Sequence, residues 1–195
     1  MSRRGKVNML SSQLGHFLDK PLSPLAKKIK VNPNIITIVG FIITTIAAIT
    51  IPYSLRLAGV LILCGGLFDM LDGIIARING RTTDFGAFLD SVLDRYSDSF
   101  LLLGFGWYFF KNDSISGMLL SAGSMIGTLV ISYAKARAEG LGKNYHTGLM
   151  ERPERIILMI FGALTGLVLP IMWIMLILTH VTVIQRIYHV WKVMR

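Results

Sequence analysis

Cysteine is almost missing from this chain, with Cys64 the only one in 195 residues. An intramolecular disulfide framework and a cysteine metal cage are both excluded. The four histidines, His16, His146, His180 and His189, are scattered and show no partner at ligand spacing. Charge is scarce as well: 16 % of residues are charged, against about 25 % in ordinary soluble domains. Acidic residues number 11 against 20 Lys and Arg. That excess does not point to nucleic acid, because the basic residues sit at the ends of apolar runs instead of forming one stripe. Arg3, Arg4 and Lys6 are not followed directly by the apolar core of a signal peptide. No internal repeat or low-complexity tract stands out.

What the chain has in quantity is apolar sequence. Hydrophobic residues make up 53 % and mean hydropathy is +0.60, which suits a polytopic membrane protein better than a soluble globule. The length fits one domain with no separate soluble module. Residues 1–32 read as a cytoplasmic juxtamembrane segment. Leu10, Leu14, Phe17 and Leu18 recur there at helical spacing, followed by Lys20, Lys27, Lys28 and Lys30. This pattern predicts an amphipathic helix on the membrane surface, or else a partly ordered leader.

Residues 33–195 divide into six expected transmembrane helices, given ~30 Å of hydrocarbon and the rise of a helix. They run roughly 34–52, 57–79, 84–110, 116–139, 153–169 and 171–190, with a turn expected at Leu169-Pro170. Both termini then share a side with Arg81, Lys143, Arg152, Arg186, Lys192 and Arg195, whereas Arg56 and Lys111 face the other side. The bias places the termini in the cytoplasm of a multi-pass cell-membrane protein.

Four aspartates break the apolar pattern. Asp69 and Asp72 are three residues apart in the second expected span, and Asp90 and Asp94 are four apart in the third. Each pair shares a helix face. From Leu57, Asp69 lies about 18 Å in; counting back from Phe110, Asp94 lies about 24 Å in. Both pairs thus fall at comparable depth in the cytoplasmic half of the bilayer, where adjacent antiparallel helices would bring them together. Four ionised aspartates near mid-membrane would cost of order 10 kcal/mol, and like charges on one face repel. Hard divalent cations, Mg²⁺ or Mn²⁺, offset both effects, and four carboxylates can hold two ions suited to displacement at phosphorus. A cation transporter would also carry intramembrane carboxylates, but should spread them through the depth or place them on paired broken helices.

The run Asp69-Met-Leu-Asp72-Gly73-Ile-Ile-Ala76-Arg77, then Gly86, Asp90 and Asp94 at fixed spacing, resembles the CDP-alcohol phosphotransferase signature. All eight fixed positions are matched within 26 residues, and the resemblance extends from about residue 32 to the end. It implies that Asp69, Asp72, Asp90 and Asp94 hold Mg²⁺ or Mn²⁺, two ions in all, with Asp94 as general base on the acceptor hydroxyl. Asn34, Asp69, Gly73, Ala76 and Arg77 would contact the CDP moiety, Asn34 alternatively capping its helix. It also implies a homodimer. For Asp98, an ion pair with Arg95 is expected, and for Asp84, an N-cap.

The acceptor is read from the other half. Ser132 and Lys135 share a face, as do Arg152 and Arg155, and cations beside a carboxylate site suit an anionic acceptor. The stretches SYAKARAEG and GLMERPER resemble the branch making phosphatidylinositol phosphate or its archaeal ether-lipid counterpart. By that match Ser132, Lys135, Arg155 and Arg186 grip the phosphate of inositol phosphate. Glycerol 3-phosphate is the alternative acceptor, and the donor is CDP-diacylglycerol or CDP-archaeol. Met159, Met172 and Met175 read as span filler.

Overall fold

In the computed structural model, residues 31–142 and 148–195 are described, and their regular structure is entirely helical. The expected surface helix over 1–32, except for its last two residues, lies outside the described residues. So do Lys143, Tyr145 and His146.

Within the described residues six helices follow one another: α1 (Pro33–Thr50), α2 (Leu55–Ile78), α3 (Asp84–Lys111), α4 (Ile115–Gly140), α5 (Arg152–Thr165) and α6 (Val168–Met194). Short polar side chains start four of them by accepting an otherwise orphaned backbone N–H. Asn32 accepts from Asn34 N at 3.0 Å, Ser54 from Leu57 N at 3.4 Å, Thr83 from Gly86 N at 3.0 Å and Ser114 from Gly117 N at 3.3 Å. Thr83, not Asp84, is therefore the cap of α3; its hydroxyl reaches the third residue ahead, and Asp84 becomes the first helical residue. Likewise Asn32 caps α1, which leaves the Asn34 carboxamide out of the capping role.

The break between the last two helices also falls elsewhere than expected. α5 ends at Gly166, whose φ of 79° is the left-handed conformation glycine adopts without Cβ strain. Pro170 sits in the first turn of α6, where a missing N–H leaves no intrahelical bond unmade.

Four helices, α1, α2, α4 and α6, are long and apolar enough to cross a membrane. α3 has the length, at 28 residues, but carries the aspartates. α5 has 14 residues, or about 21 Å at helical rise.

Packing turns the usual soluble pattern inside out. α1 exposes Ile35, Ile38, Ile42, Ile46 and Ile49, yet buries Thr37, Gly40, Thr44, Ala47 and Ala48. Small inward residues let backbones approach without a hydrophobic drive between helices. A Cβ on Gly40 would stand 3.2 Å from Phe68 Cβ and 3.4 Å from the Gly65 carbonyl oxygen. Buried hydroxyls satisfy themselves on the preceding turn: Thr44 donates to Gly40 O at 3.0 Å and Thr182 to Leu178 O at 2.7 Å. Ser124 donates across to Met172 O at 3.4 Å. The apolar core runs through Ile62, Leu101, Phe105, Met159, Met172 and Met175.

Around the bundle the principal neighbours run α1, α3, α4, α6, α5, α2 and back to α1. α2 and α3 thus flank α1 instead of packing chiefly on each other, as their antiparallel succession had suggested. Their aspartates meet across the bundle interior, at the end where α2 stops and α3 starts.

Candidate active site

Asp69 and Asp72 are presented by the last turns of α2, and Asp90 and Asp94 by the second and third turns of α3. Carboxylate oxygens of Asp69, Asp72 and Asp90 lie within 4.8 Å of one another. Asp72 is buried, and its Oδ2 makes no hydrogen bond. Three converging hard oxygen donors, one of them otherwise unsatisfied, fit a divalent cation such as Mg²⁺ or Mn²⁺.

Asp94 stands outside that trio and is engaged by Arg152, the first residue of α5. Arg152 Nη1 donates to Asp69 Oδ2 and lies 3.0 Å from Asp94 Oδ1. Its Nε is 3.9 Å from Asp98 Oδ1. Asp98 has a second cationic neighbour, Arg155, whose Nη2 donates to Asp98 Oδ2 at 2.7 Å. The expected Arg95–Asp98 pair is thus replaced: Arg95 turns its guanidinium back to the Ser91 carbonyl on its own helix. Asp98 points inward, where the α5 arginines meet it.

Three hollows converge on these carboxylates. A cleft of about 190 Å³ lies between the start of α1, the end of α2 and the start of α3. It is lined by Asn34, Thr37, Asp72, Gly73, Ala76, Arg77, Gly86 and Asp90. Glycine matters at two points here: a Cβ on Gly73 would come within 3.2 Å of Arg77 Nη1, and one on Gly86 within 3.0 Å of Asn34 Oδ1.

A second cavity, of about 220 Å³, lies on the other side, bordered by Asp94, Asp98, Ser132, Lys135, Arg152, Arg155 and Arg186. Ser132 and Lys135 come from the end of α4, the two α5 arginines from its first turn, and Arg186 from the interior of α6. Arg155 also donates to Met150 O at 3.3 Å, and Arg186 to Ile131 O at 2.6 Å; both are buried. A third hollow, of about 500 Å³, is an apolar groove between α2 and α5. Leu63, Leu67, Met70, Ile156, Ile157 and Ile160 line it, and Asp69, Asp72, Asp90, Arg77 and Arg152 close its polar end.

Every residue that the sequence nominated for the site lies on one of these three hollows. The sequence places Arg152 among the topology cations and on the face of Arg155 without giving it a site role, whereas it stands among the aspartates. That shared face was the signal available. The apolar groove had no sequence signal, since its lining is ordinary span sequence.

The comparisons with known proteins agree with this geometry. Residues 30–190 match the model of the CDP-alcohol phosphatidyltransferase family. The archaetidylinositol phosphate synthase of Methanothermobacter thermautotrophicus is 34 % identical over 195 residues, covering 95 % of this chain and 94 % of that protein. Among solved structures, the phosphatidylinositol phosphate synthase of Mycobacterium tuberculosis with CDP-DAG bound superposes with a TM-score of 0.80. The identity is 30 %, with 90 % of this chain and 94 % of that one covered. The same synthase in complex with manganese and citrate gives a TM-score of 0.78 at 30 % identity, covering 89 % and 88 %. With a signature-bearing carboxylate cluster, a matching fold and a family match over most of its length, this chain is a membrane enzyme belonging to the CDP-alcohol phosphatidyltransferase family.

Proposed function

We propose that the protein transfers the lipid phosphate of a CDP-lipid to inositol phosphate, releasing CMP, in phospholipid biosynthesis. The observation that carries this reading is the convergence of three chemically distinct hollows on one carboxylate cluster. The glycine-lined cleft suits a nucleotide diphosphate, the apolar groove suits lipid tails, and the cationic cavity suits an anionic alcohol. Relatives named for inositol phosphate products, one of them bound to CDP-DAG, support the same substrates.

Asp69, Asp72, Asp90 and Asp94 hold the Mg²⁺ or Mn²⁺ ions, two in number. Bound there, the ions supply Lewis-acid stabilisation of charge on the diphosphate. Asn34, Gly73, Ala76 and Arg77, with Asp69, position the CDP moiety, the two small residues letting it approach the α2 backbone. Ser132, Lys135, Arg155 and Arg186 hold the acceptor phosphate so that its hydroxyl faces the lipid-side phosphorus. Asp94 lies on the cavity between the carboxylate trio and these cations and takes the hydroxyl proton as general base. The new P–O bond forms as the bond to the CMP oxygen breaks.

Residues 33–195 act as one domain whose six helices all cross the bilayer, α5 and α6 joined at Gly166, with residues 1–32 on the cytoplasmic surface. The Lys and Arg bias puts the termini and the site on the cytoplasmic side. Two copies associate in the membrane, as the family resemblance implies.

The test is CMP release from a CDP-lipid by purified protein, with Mg²⁺ or Mn²⁺ and with inositol phosphate, glycerol phosphate, free inositol or serine as acceptor. Release with inositol phosphate alone is expected. Asp94→Asn should lower kcat by roughly 10²–10⁴-fold, and Lys135→Ala should raise the acceptor KM about tenfold with a smaller change in kcat. Release with glycerol phosphate instead would keep the reaction and replace the acceptor. No metal-dependent release with any acceptor would overturn the reading.

A further inference from the structure

Arg152 occupies a position at odds with a cation site. Its Nη1 contacts Asp69 Oδ2 and lies 3.0 Å from Asp94 Oδ1, so it engages two of the four carboxylates that the proposed reading assigns to metal. A guanidinium against Asp69 Oδ2 and Asp94 Oδ1 competes with a divalent cation for those oxygens, because two positive charges a few ångströms apart repel. Arg152 is also half of an unmade contact. Among the described residues its Nε has no hydrogen-bond partner, and neither has Asp98 Oδ1, which lies 3.9 Å away on a side chain only 2 % exposed. A buried carboxylate oxygen left unpaired beside an unpaired N–H costs stability that a small shift of one side chain would recover. Asp98 stands one turn beyond Asp94 on α3, so a guanidinium leaving Asp94 reaches it by side-chain rotation alone.

We propose that Arg152 is a displaceable counter-ion of the carboxylate site, which gives up Asp69 and Asp94 when divalent ions are held there and bonds Asp98 instead. The carboxylates then never face one another uncompensated, and cation entry is matched by withdrawal of a positive charge toward the acceptor cavity, which Arg152 also lines. The trio Asp69, Asp72 and Asp90 keeps two oxygen donors, from Asp72 and Asp90, that Arg152 does not touch in any recorded hydrogen bond or ion pair. Occupancy is therefore graded: an ion held through Asp72 and Asp90 binds more readily than one that needs Asp69 Oδ2 or Asp94.

This inference rests on the metal reading above, and the test separates the two. Mn²⁺ alone is titrated into purified wild type, Arg152→Gln and Arg152→Lys in detergent, with free Mn²⁺ followed by electron paramagnetic resonance. A monodisperse elution profile and an unchanged far-ultraviolet circular dichroism spectrum establish that each variant is folded. Arg152→Gln should bind its weaker Mn²⁺ about tenfold or more tightly than wild type, the scale of one charge-assisted hydrogen bond no longer competed for. Arg152→Lys keeps the competing charge and should stay near wild type. A purely structural role for Arg152 predicts the opposite sign, since loosened carboxylates bind metal less well. Unchanged or weakened Mn²⁺ binding in folded Arg152→Gln would overturn the inference while leaving the metal reading intact. Absence of Mn²⁺ binding by wild type would overturn both.

Discussion

Asp98 and Arg155 are the side chains whose roles differ most from what their neighbours in sequence suggest. The aspartate spacing of three and four residues was legible, because helical geometry alone puts such pairs on one face. Long-range partners were not: Arg155 reaches Asp98 across 57 positions, and no local pattern favours it over Arg95, three residues away. Burial decides between them, since a buried carboxylate requires a charged partner and Arg95 is committed to Ser91 O. Arg155 borders the acceptor cavity and is also half of a buried ion pair, so its removal has two effects. Arg155→Ala should lower stability by about 1–3 kcal/mol, because buried Asp98 loses its hydrogen-bonded partner and keeps only Arg152, whose Nε is 3.9 Å from Oδ1. Urea or thermal unfolding in detergent measures this, and the double variant Arg155→Ala, Asp98→Ala should recover part of the loss. Equal stability of the single and double variants would show that the unpaired Asp98 charge is not the source of the loss.

Among elements, helix position was read well from the lengths of apolar runs, and helix ends less well. Ends depend on which side chain captures the first free N–H, and here residues one or two positions upstream of the expected caps do so: Thr83 before Asp84, and Asn32 before Asn34. The break before α6 shows the same competition. Proline is the more conspicuous residue, yet glycine makes the turn, because only the left-handed conformation reverses the chain there. Gly166 has no heavy atom within 4 Å of a would-be Cβ. Gly166→Ala should therefore cost about 1–2 kcal/mol from backbone conformation alone, whereas Pro170→Ala should change stability by less than about 0.5 kcal/mol. Thermal midpoints of the two variants check the ranking. The cyclic order of helices was not legible, because it depends on the matching of small-residue faces such as Gly40 with Gly65.

At the scale of the molecule, charge and hydrophobicity are arranged along two different directions. On α1, isoleucines face outward and small or hydroxyl-bearing residues inward; along the bundle, the charged hollows gather at one end. The other end carries Tyr53 and Lys111, whose ammonium lies 4.4 Å over the tyrosine ring. With Cys64 replaced by serine, a cysteine at Tyr53 should react with a membrane-impermeant maleimide in intact cells. A cysteine at Thr82 should react only after permeabilisation. Reversed labelling would place the site on the outer face, and labelling of both in intact cells would refute a transmembrane arrangement.

The cyclic arrangement has a further meaning for how such an enzyme can change. The nucleotide cleft and all four signature aspartates come from the first three helices. Ser132, Lys135, Arg155 and Arg186, which the proposed reading gives to the acceptor, come from the last three. Under the proposed reading, nucleotide contacts and acceptor cations are thus encoded largely in separate stretches of the gene, which meet where α5 lines the apolar groove and α3 borders the cationic cavity. Exchanging the second stretch between lineages would change the acceptor side while keeping the nucleotide side, provided the exchanged α5 still closed the groove on α2 and its arginines still met the α3 aspartates at the seam.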